Sequence, residues 1–257
     1  MQPSDIRHYR DQGYALISGL FTARELDAME AAFDGILERR RAANAELNAL
    51  WPGKWREQHA TGTEVLHTHD VQAYSAVWSR ALTHPRLTRA MSRLMGSPNV
   101  QLHHTKMFLK PPEKGGAFPM HQDHPYFPHE RHTMMAAIIH LTDATRAMGC
   151  VRVVPGSHKH GPLPTHEHNH LDPAEWPVES ARALPAKRGD VLFFNYLTVH
   201  GSGPNTSRRT RKTVLIQVRD PADRPLDEQH RSHAQGMILH GIHPLEDTAM
   251  AEGTLEG

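Results

Sequence analysis

The chain has 257 residues, enough for one well-buried domain, and 38% of them are hydrophobic. Its 29 Lys and Arg residues nearly balance 28 Asp and Glu residues, so a net charge of +1 provides no general attraction for nucleic acid. The single cysteine, Cys150, excludes a framework of intrachain disulfides, and no apolar stretch approaches the roughly 20 residues of a membrane helix. The first residues lack the pattern of a secretory signal, and we expect a cytoplasmic protein with neither nucleic-acid nor membrane partners.

Two helices are predicted before residue 100. The first begins with a capping box formed by Thr22 and Glu25, whose side chains satisfy free backbone donors of the first turn. Its apolar residues recur at helical spacing: Leu26, Met29, Phe33, Ile36 and Leu37. The second helix begins at Pro85 and ends at Gly96, a residue suited to a left-handed cap. The polar segment 39–62, which contains Trp51 and Trp55, is interpreted as a loop or a partly helical lid.

From Val100 the sequence changes to short apolar or alternating runs separated by Pro, Gly and Asp, which is typical of strands and turns. The predicted strands are Val100 to Leu109, Met134 to Leu141, Val151 to Val154, Asp190 to Tyr196 and Thr213 to Val218. Short strands preceded by helices predict a mainly β jelly-roll barrel with flanking helices. We expect one domain over 1–257, with a helical flank and lid in 1–99, the barrel in 100–220 and a C-terminal extension in 221–257.

A candidate metal site combines His121 and Asp123 with His200. Alternate side chains of an extended segment lie on one face, so His121 and Asp123 are expected to point together while Gln122 points away. Two histidines and one carboxylate form the facial triad that leaves three adjacent positions open on octahedral iron(II). Such a centre has room for both a bidentate keto acid and dioxygen.

A candidate anion site follows on the next predicted strand. Arg211 lies eleven residues after His200 and begins an apolar run, and its guanidinium is suited to bind a carboxylate bidentately. Ser202 can add a hydroxyl to the same carboxylate. Arg208 and Arg209 belong to the same basic run, but their spacing from His200 favours Arg211 over either of them.

Several of these motifs together resemble the phytanoyl-CoA dioxygenase family. The segments are HTKMFLKPPEKGGAFPMHQDHPYFPH, PGSHKHG and GDVLFFNYLTVHGSGPNTSRRTRK, which cover about 100–218, and the N-terminal DQGYALISGLFTARELDAM is similar to the family's opening. The resemblance implies a double-stranded β-helix, or cupin-like, fold. It also implies iron(II), 2-oxoglutarate and dioxygen as cofactor and co-substrates, with release of succinate and carbon dioxide.

The resemblance also implies roles for individual residues. The implied iron ligands are His121, Asp123 and His200, and the implied co-substrate contacts are Arg211, Ser202 and Lys106. Related halogenases have a small residue in place of the carboxylate, so Asp123 favours hydroxylation. Members that use acyl-CoA carry an aromatic residue where this chain has Ile138 or Ile139, which favours a small metabolite as the substrate.

Other outcomes of the same cofactor chemistry stay open, namely desaturation, epimerisation, cyclisation or action on an acyl-CoA. A jelly-roll that binds a metal or small molecule without turnover is the alternative from a different class. We expect substrate contacts from Tyr126, Phe127 and His129. The zinc-protease pattern HExxH begins at His166, but neighbouring prolines favour a loop there, and Cys150 is expected to be buried and unreactive.

Overall fold

The computed structural model describes residues 1–47, 64–165, 169–227 and 231–244. Its α-helices are α1 (Pro3–Gln12), α2 (Ala23–Ala42), α3 (Val71–Tyr74), α4 (Ala76–Leu82) and α5 (Pro85–Met95). Its strands are β1 (Tyr14–Ile17), β2 (Leu66–His69), β3 (Val100–Lys110), β4 (Phe118–His121), β5 (Met135–His140), β6 (Val151–Val153), β7 (Arg182–Ala183), β8 (Val191–Asn195), β9 (His200–Ser202), β10 (Arg211–Arg219) and β11 (Ile238–His240). Short 3₁₀ turns occupy His124–Tyr126, Ser157–His160 and Val178–Ser180.

Both predicted helices are confirmed, with the predicted caps. The Thr22 N–H donates to the Glu25 carboxylate at 2.7 Å, and the Glu25 N–H donates to the Thr22 hydroxyl at 3.3 Å, which begins α2. All five predicted apolar residues of α2 are buried. Helix α5 begins at Pro85, and Gly96 ends it with a φ of 77°.

The N-terminal region contains elements beyond the two predicted helices. Helix α2 continues to Ala42, so the segment 39–62, predicted to be a loop or a partly helical lid, begins with helical residues. Trp51 and Trp55 lie outside the described residues. The region also contains β1, which pairs with β8, and β2, which pairs with β3. These strands were missed because their pairing partners are far away in the sequence.

Two antiparallel sheets form the predicted jelly-roll barrel. In the described part of the chain, the larger sheet has the strand order β1-β8-β5-β10-β3-β11, with β2 also on β3, and the smaller sheet has the order β4-β9-β6-β7. All five predicted strands are present, with ends shifted by no more than two residues. The β11 strand shows that the C-terminal region also contributes to the larger sheet.

The core lies on both faces of the larger sheet. Along β8, Phe193 packs against the helices with Phe33 and Trp78, whereas Leu192 and Phe194 point into the barrel. This alternation follows from the two-residue period of a strand. Burial of each of these side chains contributes roughly 1.5–3 kcal/mol to the free energy of folding. The helices cover one face of the sheet, and the other face surrounds the barrel interior. Among the described residues, no helix has both the length and the apolar composition needed to cross a membrane.

Candidate active site

The two histidines of the predicted metal site are cross-strand neighbours. His121 ends β4 and His200 begins β9, and the two residues pair directly in the antiparallel ladder. Asp123 lies beyond the end of β4 with helical backbone angles, φ −74° and ψ −23°, so the prediction of an extended segment through Asp123 is wrong. The chain turns here because the N–H groups of Asp123 and His124 both donate to the Tyr196 carbonyl, and Pro125 follows within the next turn.

Despite this turn, the three side chains converge. One ligand atom from each of His121, Asp123 and His200 lies within 4.8 Å of the others. The Nε2 atoms of both histidines lie 3.7 Å from Oδ1 of Asp123. Each Nδ1 faces a backbone carbonyl, that of Pro119 at 2.8 Å for His121 and that of Thr198 at 2.9 Å for His200. These carbonyls select the tautomer that presents Nε2 to the centre of the site.

Gln122 points away from this centre, as predicted. Its buried amide donates to the carbonyls of Leu197 at 2.6 Å and Gly161 at 3.0 Å, and its oxygen accepts from the N–H of Leu163 at 2.9 Å. The middle residue of the motif therefore holds the surrounding loops in place while the flanking residues face the cavity.

Gln217 is a site residue that the sequence did not single out. It is fully buried on β10, and its Nε2 donates to Oδ2 of Asp123 at 3.3 Å. Its own oxygen has no hydrogen-bond partner, although the atom is buried. The available signal was periodicity, because Gln217 lies on the same face of the strand as Arg211. Its contact leaves Oδ1 of Asp123 to face the histidines.

Burial sets the electrostatics of the triad. It lowers the pKa of His121, with help from the neighbouring His200, and the pKa of His200, each to about 4. Both rings are therefore neutral near pH 7, which is the form that binds metal. Burial raises the pKa of Asp123, against the opposing effect of His121. A bound cation would favour the ionised carboxylate. Burial also lowers the pKa of Lys106 to about 8, while the Asp123 charge acts in the opposite direction.

The donor set fits a divalent transition-metal ion. Donors that each bind one ion at about 2.1 Å must lie within about 4.2 Å of one another, and both Nε2–Oδ1 distances of 3.7 Å satisfy this limit. The mixed imidazole and carboxylate chemistry is that of iron(II) sites with open positions. Among the described residues, this is the only group of three or more His, Cys, Asp or Glu side chains whose ligand atoms lie close enough together to hold one metal ion.

The predicted anion site contains a second buried cation. Arg211 begins β10 directly opposite Lys110, the last residue of β3. Lys110 is fully buried, and its ammonium donates to the Ser202 hydroxyl and to the Gly203 carbonyl, both at 2.7 Å. Arg211 is 4% exposed and donates from one terminal nitrogen to the Gly149 carbonyl.

Among the described residues, neither of these cations forms an ion pair with a carboxylate. The Nε atom of Arg211 is buried with no hydrogen-bond partner, and burial lowers the pKa of Arg211 to about 10. Burial, followed by the nearby Arg211 charge, holds the pKa of Lys110 well below its ordinary value. Because an isolated buried charge is costly, a carboxylate bound here would stabilise both cations.

The metal ligands and Arg211 line one cavity of about 340 Å³, and Lys110 adjoins it through its hydrogen bond to the lining residue Ser202. Its apolar wall includes Phe108, Phe118, Ile138 and Phe194. Of the two isoleucines left open by the sequence, Ile138 lines the cavity, whereas Ile139 is buried in the core beside the helices. A single cavity thus brings together a metal site, an anion site and an apolar surface.

The three residues expected to contact the substrate do not all face the cavity. Tyr126 and Phe127 line the cavity. His129 is absent from its lining; it is buried, and its Nδ1 lies 2.9 Å from the Phe127 carbonyl. Packing against His103, with ring centroids 5.8 Å apart, accounts for its position.

Lys106 also lines the cavity, but four residues before Lys110 on the same strand. This spacing corresponds to about 13 Å along β3, and it is Lys110 that contacts Ser202. The sequence signal for Lys110 was again periodicity, since both lysines lie on one face of the strand. Arg208 and Arg209 have side chains that are 95% and 63% exposed, in agreement with the choice of Arg211.

The remaining motifs lie outside the cavity. His166, Glu167 and His168 of the HExxH pattern are outside the described residues, and the final His170 forms an isolated β-bridge with His121. Cys150 is 1% exposed, which confirms the prediction that it is buried. Burial raises the pKa of its thiol, which disfavours the reactive thiolate, and its lack of reactivity stays a prediction.

Comparison with known proteins agrees with this geometry. The family model for phytanoyl-CoA dioxygenase (PhyH) matches residues 9–213. The peroxisomal phytanoyl-CoA dioxygenase of Bos taurus is 27% identical over 235 residues, which cover 83% of this chain and 67% of that protein. Methylphosphonate hydroxylase of Gimesia maris is 29% identical over 201 residues, which cover 74% of this chain and 76% of that protein.

A solved structure shows the same fold. The epimerase SnoN, crystallised with Fe3+, alpha ketoglutarate and nogalamycin RO, superposes with a TM-score of 0.70 at 23% identity. The superposition covers 92% of this chain and 98% of that protein. The barrel described here therefore has the predicted double-stranded β-helix, or cupin-like, fold.

Proposed function

The chain belongs to the phytanoyl-CoA dioxygenase family of iron(II)- and 2-oxoglutarate-dependent dioxygenases, and we propose that it hydroxylates an unactivated carbon of a small metabolite. His121, Asp123 and His200 hold the iron in this proposal. Succinate and carbon dioxide are the co-products. The observation that supports the proposal most directly is that the triad and the buried Arg211 line the same cavity, with Lys110 bound to Ser202 in its wall.

Arg211 and Lys110 bind the distal carboxylate of 2-oxoglutarate in this proposal, with the Ser202 hydroxyl beside them. The guanidinium provides a planar pair of donors, one of which, Nε, has no partner in the protein. Lys110 provides a second charge beside Arg211, next to the lining residue Ser202. Lys106 lies four residues from Lys110 along β3 and is not part of this cation pair, so its predicted contact with the co-substrate stays a prediction.

Bound iron(II) supplies the activation of dioxygen that accompanies oxidative decarboxylation of 2-oxoglutarate. The protein contributes the arrangement of ligands and the exclusion of water. The Pro119 and Thr198 carbonyls orient the two imidazoles, and Gln217 orients Asp123. The aromatic and aliphatic wall keeps the reacting carbon in apolar surroundings.

A small substrate is favoured by the size and lining of the cavity. About 340 Å³ is available in total, and 2-oxoglutarate must occupy part of it. Ile138, one of the two isoleucines that the resemblance compares with an aromatic residue of acyl-CoA-using members, lines the cavity. The relative from Gimesia maris is a hydroxylase of methylphosphonate, which is a small molecule.

Epimerisation or ring closure is the second candidate outcome. The similarity in fold to the SnoN epimerase supports this second outcome, because hydrogen abstraction from the substrate is common to hydroxylation and epimerisation. Which product forms depends on where the substrate radical lies relative to the iron. Mass spectrometry of the product distinguishes the outcomes, since hydroxylation adds one oxygen and epimerisation leaves the mass unchanged.

The assignment of the iron ligands can be tested by metal binding alone. Anaerobic dialysis against iron(II) should give stoichiometric iron in the wild type and strongly reduced iron in Asp123→Ala. Asp27→Ala is the matched control, because the Asp27 side chain is 72% exposed on α2 and its ion pair with Arg188 lies outside the cavity lining. Full iron content in Asp123→Ala would contradict the assignment. Steady-state succinate release then tests turnover with candidate substrates.

A further inference from the structure

Lys106 has a position that the proposed iron and 2-oxoglutarate sites do not explain. It projects from the middle of β3 into the cavity, and its ammonium lies 5.2 Å from the centroid of the Phe108 ring. Among the described residues, Lys106 has no hydrogen bond or ion pair. A lysine normally extends its ammonium into water, so a cavity-facing lysine without a partner anion suggests that a ligand provides one.

The position of Lys106 along the cavity separates it from the carboxylate clamp. Lys110 is opposite Arg211 in the ladder, whereas Lys106 is opposite Leu215 on β10 and His69 on β2. His69 also lines the cavity. The clamp and Lys106 are thus about 13 Å apart along the strand. Lys106 lies towards the Asp123 end, where its charge and that of Asp123 interact.

The charge balance of the loaded site also points to an anionic ligand. In the proposed complex, iron(II), Asp123, 2-oxoglutarate, Arg211 and Lys110 together carry a net charge of +1. The ammonium of Lys106 then adds positive charge in a largely apolar cavity, where unpaired charge is unfavourable. Since Asp123 would be engaged by the metal, it does not neutralise Lys106 in that state.

We propose that Lys106 binds an anionic group of the substrate, a carboxylate or a phosphonate, and so holds the substrate carbon near the iron. His69 lies beside it on the same face of the sheet and lines the same part of the cavity. The substrate class is therefore a small organic anion whose remaining part is apolar enough to contact Phe118 and Phe194. This inference rests on the proposed function, because it assumes that iron and 2-oxoglutarate occupy the rest of the cavity.

The test measures ligand binding without turnover. Protein loaded anaerobically with iron(II) and saturating 2-oxoglutarate is titrated with three probes, methylphosphonate, propionate and the neutral propionamide. Calorimetry and the change in the visible absorption of the iron and 2-oxoglutarate complex report probe binding. The affinity for 2-oxoglutarate is measured separately in every variant.

Three variants make the result specific. Lys106→Met keeps the length of the side chain and removes the charge, and Lys106→Arg keeps the charge. Lys159→Met is the control, since Lys159 is exposed and absent from the cavity lining. We expect at least one anion to bind the wild type more tightly than propionamide. We expect Lys106→Met to weaken that anion about 10- to 100-fold, with unchanged affinity for 2-oxoglutarate, while Lys106→Arg and Lys159→Met retain binding.

The preferred probe identifies the head group as carboxylate or phosphonate. Weaker binding of 2-oxoglutarate by Lys106→Met, with unchanged probe binding, would overturn the inference and make Lys106 a co-substrate contact. Equal binding of propionamide and propionate with no binding of methylphosphonate, or no binding of either anion, would also overturn it. If the wild type formed no complex with iron and 2-oxoglutarate, the proposed function itself would fail, and this outcome is visible before any probe is added.

Discussion

Replacement of Lys110 by methionine tests the part of the site that sequence analysis missed. Lys110 is fully buried and lies opposite Arg211, so methionine fills its space while removing one cation from the clamp. A hydrogen bond to a charged group contributes about 1.5–3 kcal/mol. We therefore expect Lys110→Met to weaken 2-oxoglutarate binding about 10- to 100-fold. The substitution also leaves the Ser202 hydroxyl and the Gly203 carbonyl without their donor, which alters the stability of the ligand-free protein.

Calorimetry of each variant with and without 2-oxoglutarate separates the two effects. At a concentration about 100 times the wild-type Kd, the ligand should stabilise wild-type protein loaded with iron(II) by about 2.7 kcal/mol. The same concentration should stabilise Lys110→Met by only about 0.4–1.4 kcal/mol. For a chain of this size, the difference corresponds to a loss of several degrees, on the order of 3–9 °C, in the ligand-induced rise of Tm.

The matched control is Lys114→Met, because Lys114 is exposed and absent from the cavity lining. It should show the full wild-type rise in Tm. An equal ligand-induced rise in wild type and Lys110→Met would refute the argument that the buried ammonium binds the carboxylate.

Three further substitutions test other contacts of the site. Arg211→Met should weaken the binding of 2-oxoglutarate, measured by calorimetric titration, by about 2–5 kcal/mol. Arg208→Met, at an exposed position, should leave this binding unchanged. Gln217→Ala should reduce iron(II) affinity about 10- to 100-fold, measured by competition with a chelator, because Asp123 loses its orienting donor; wild-type affinity would argue against that role. Gly149→Ala should lower Tm, because the residue has a φ of 67° and a Cβ would lie 2.8 Å from the Pro204 carbonyl oxygen. It should also lower the affinity for 2-oxoglutarate, because the Gly149 carbonyl accepts a hydrogen bond from Arg211. Calorimetry that shows neither change would contradict this reasoning.

Local sequence signals were sufficient for much of the barrel and its flanking helices. The Thr22 and Glu25 box and the helical spacing after it predict α2, and the left-handed Gly96 ends α5 as expected. The buried central strands are also recognisable, because β-branched and aromatic residues cluster between turn residues. These features depend on neighbours in the chain, so a single sequence contains them.

What sequence analysis missed depends on contacts between distant residues. Tyr14–Ile17 becomes a strand only because Val191–Asn195 provides its partner. The Asp123 backbone turns because two of its local N–H groups bind the Tyr196 carbonyl, which is far along the chain. In the same way, Lys110 is buried because β3 pairs with β10 and places it against Arg211. The period of the strand placed Lys106 and Lys110 on one face, but it did not indicate which of them meets Ser202.

The joint binding of iron(II) and 2-oxoglutarate is the central claim, and an anaerobic titration of the metal-free protein tests it most directly. Addition of both ligands to the wild type should produce the weak visible charge-transfer band of the chelate, and neither ligand alone should do so. The band should be lost in His200→Ala, which removes a ligand of the proposed triad, and should require far more 2-oxoglutarate in Arg211→Met. Absence of the band in the wild type at saturating iron(II) and 2-oxoglutarate would contradict the account.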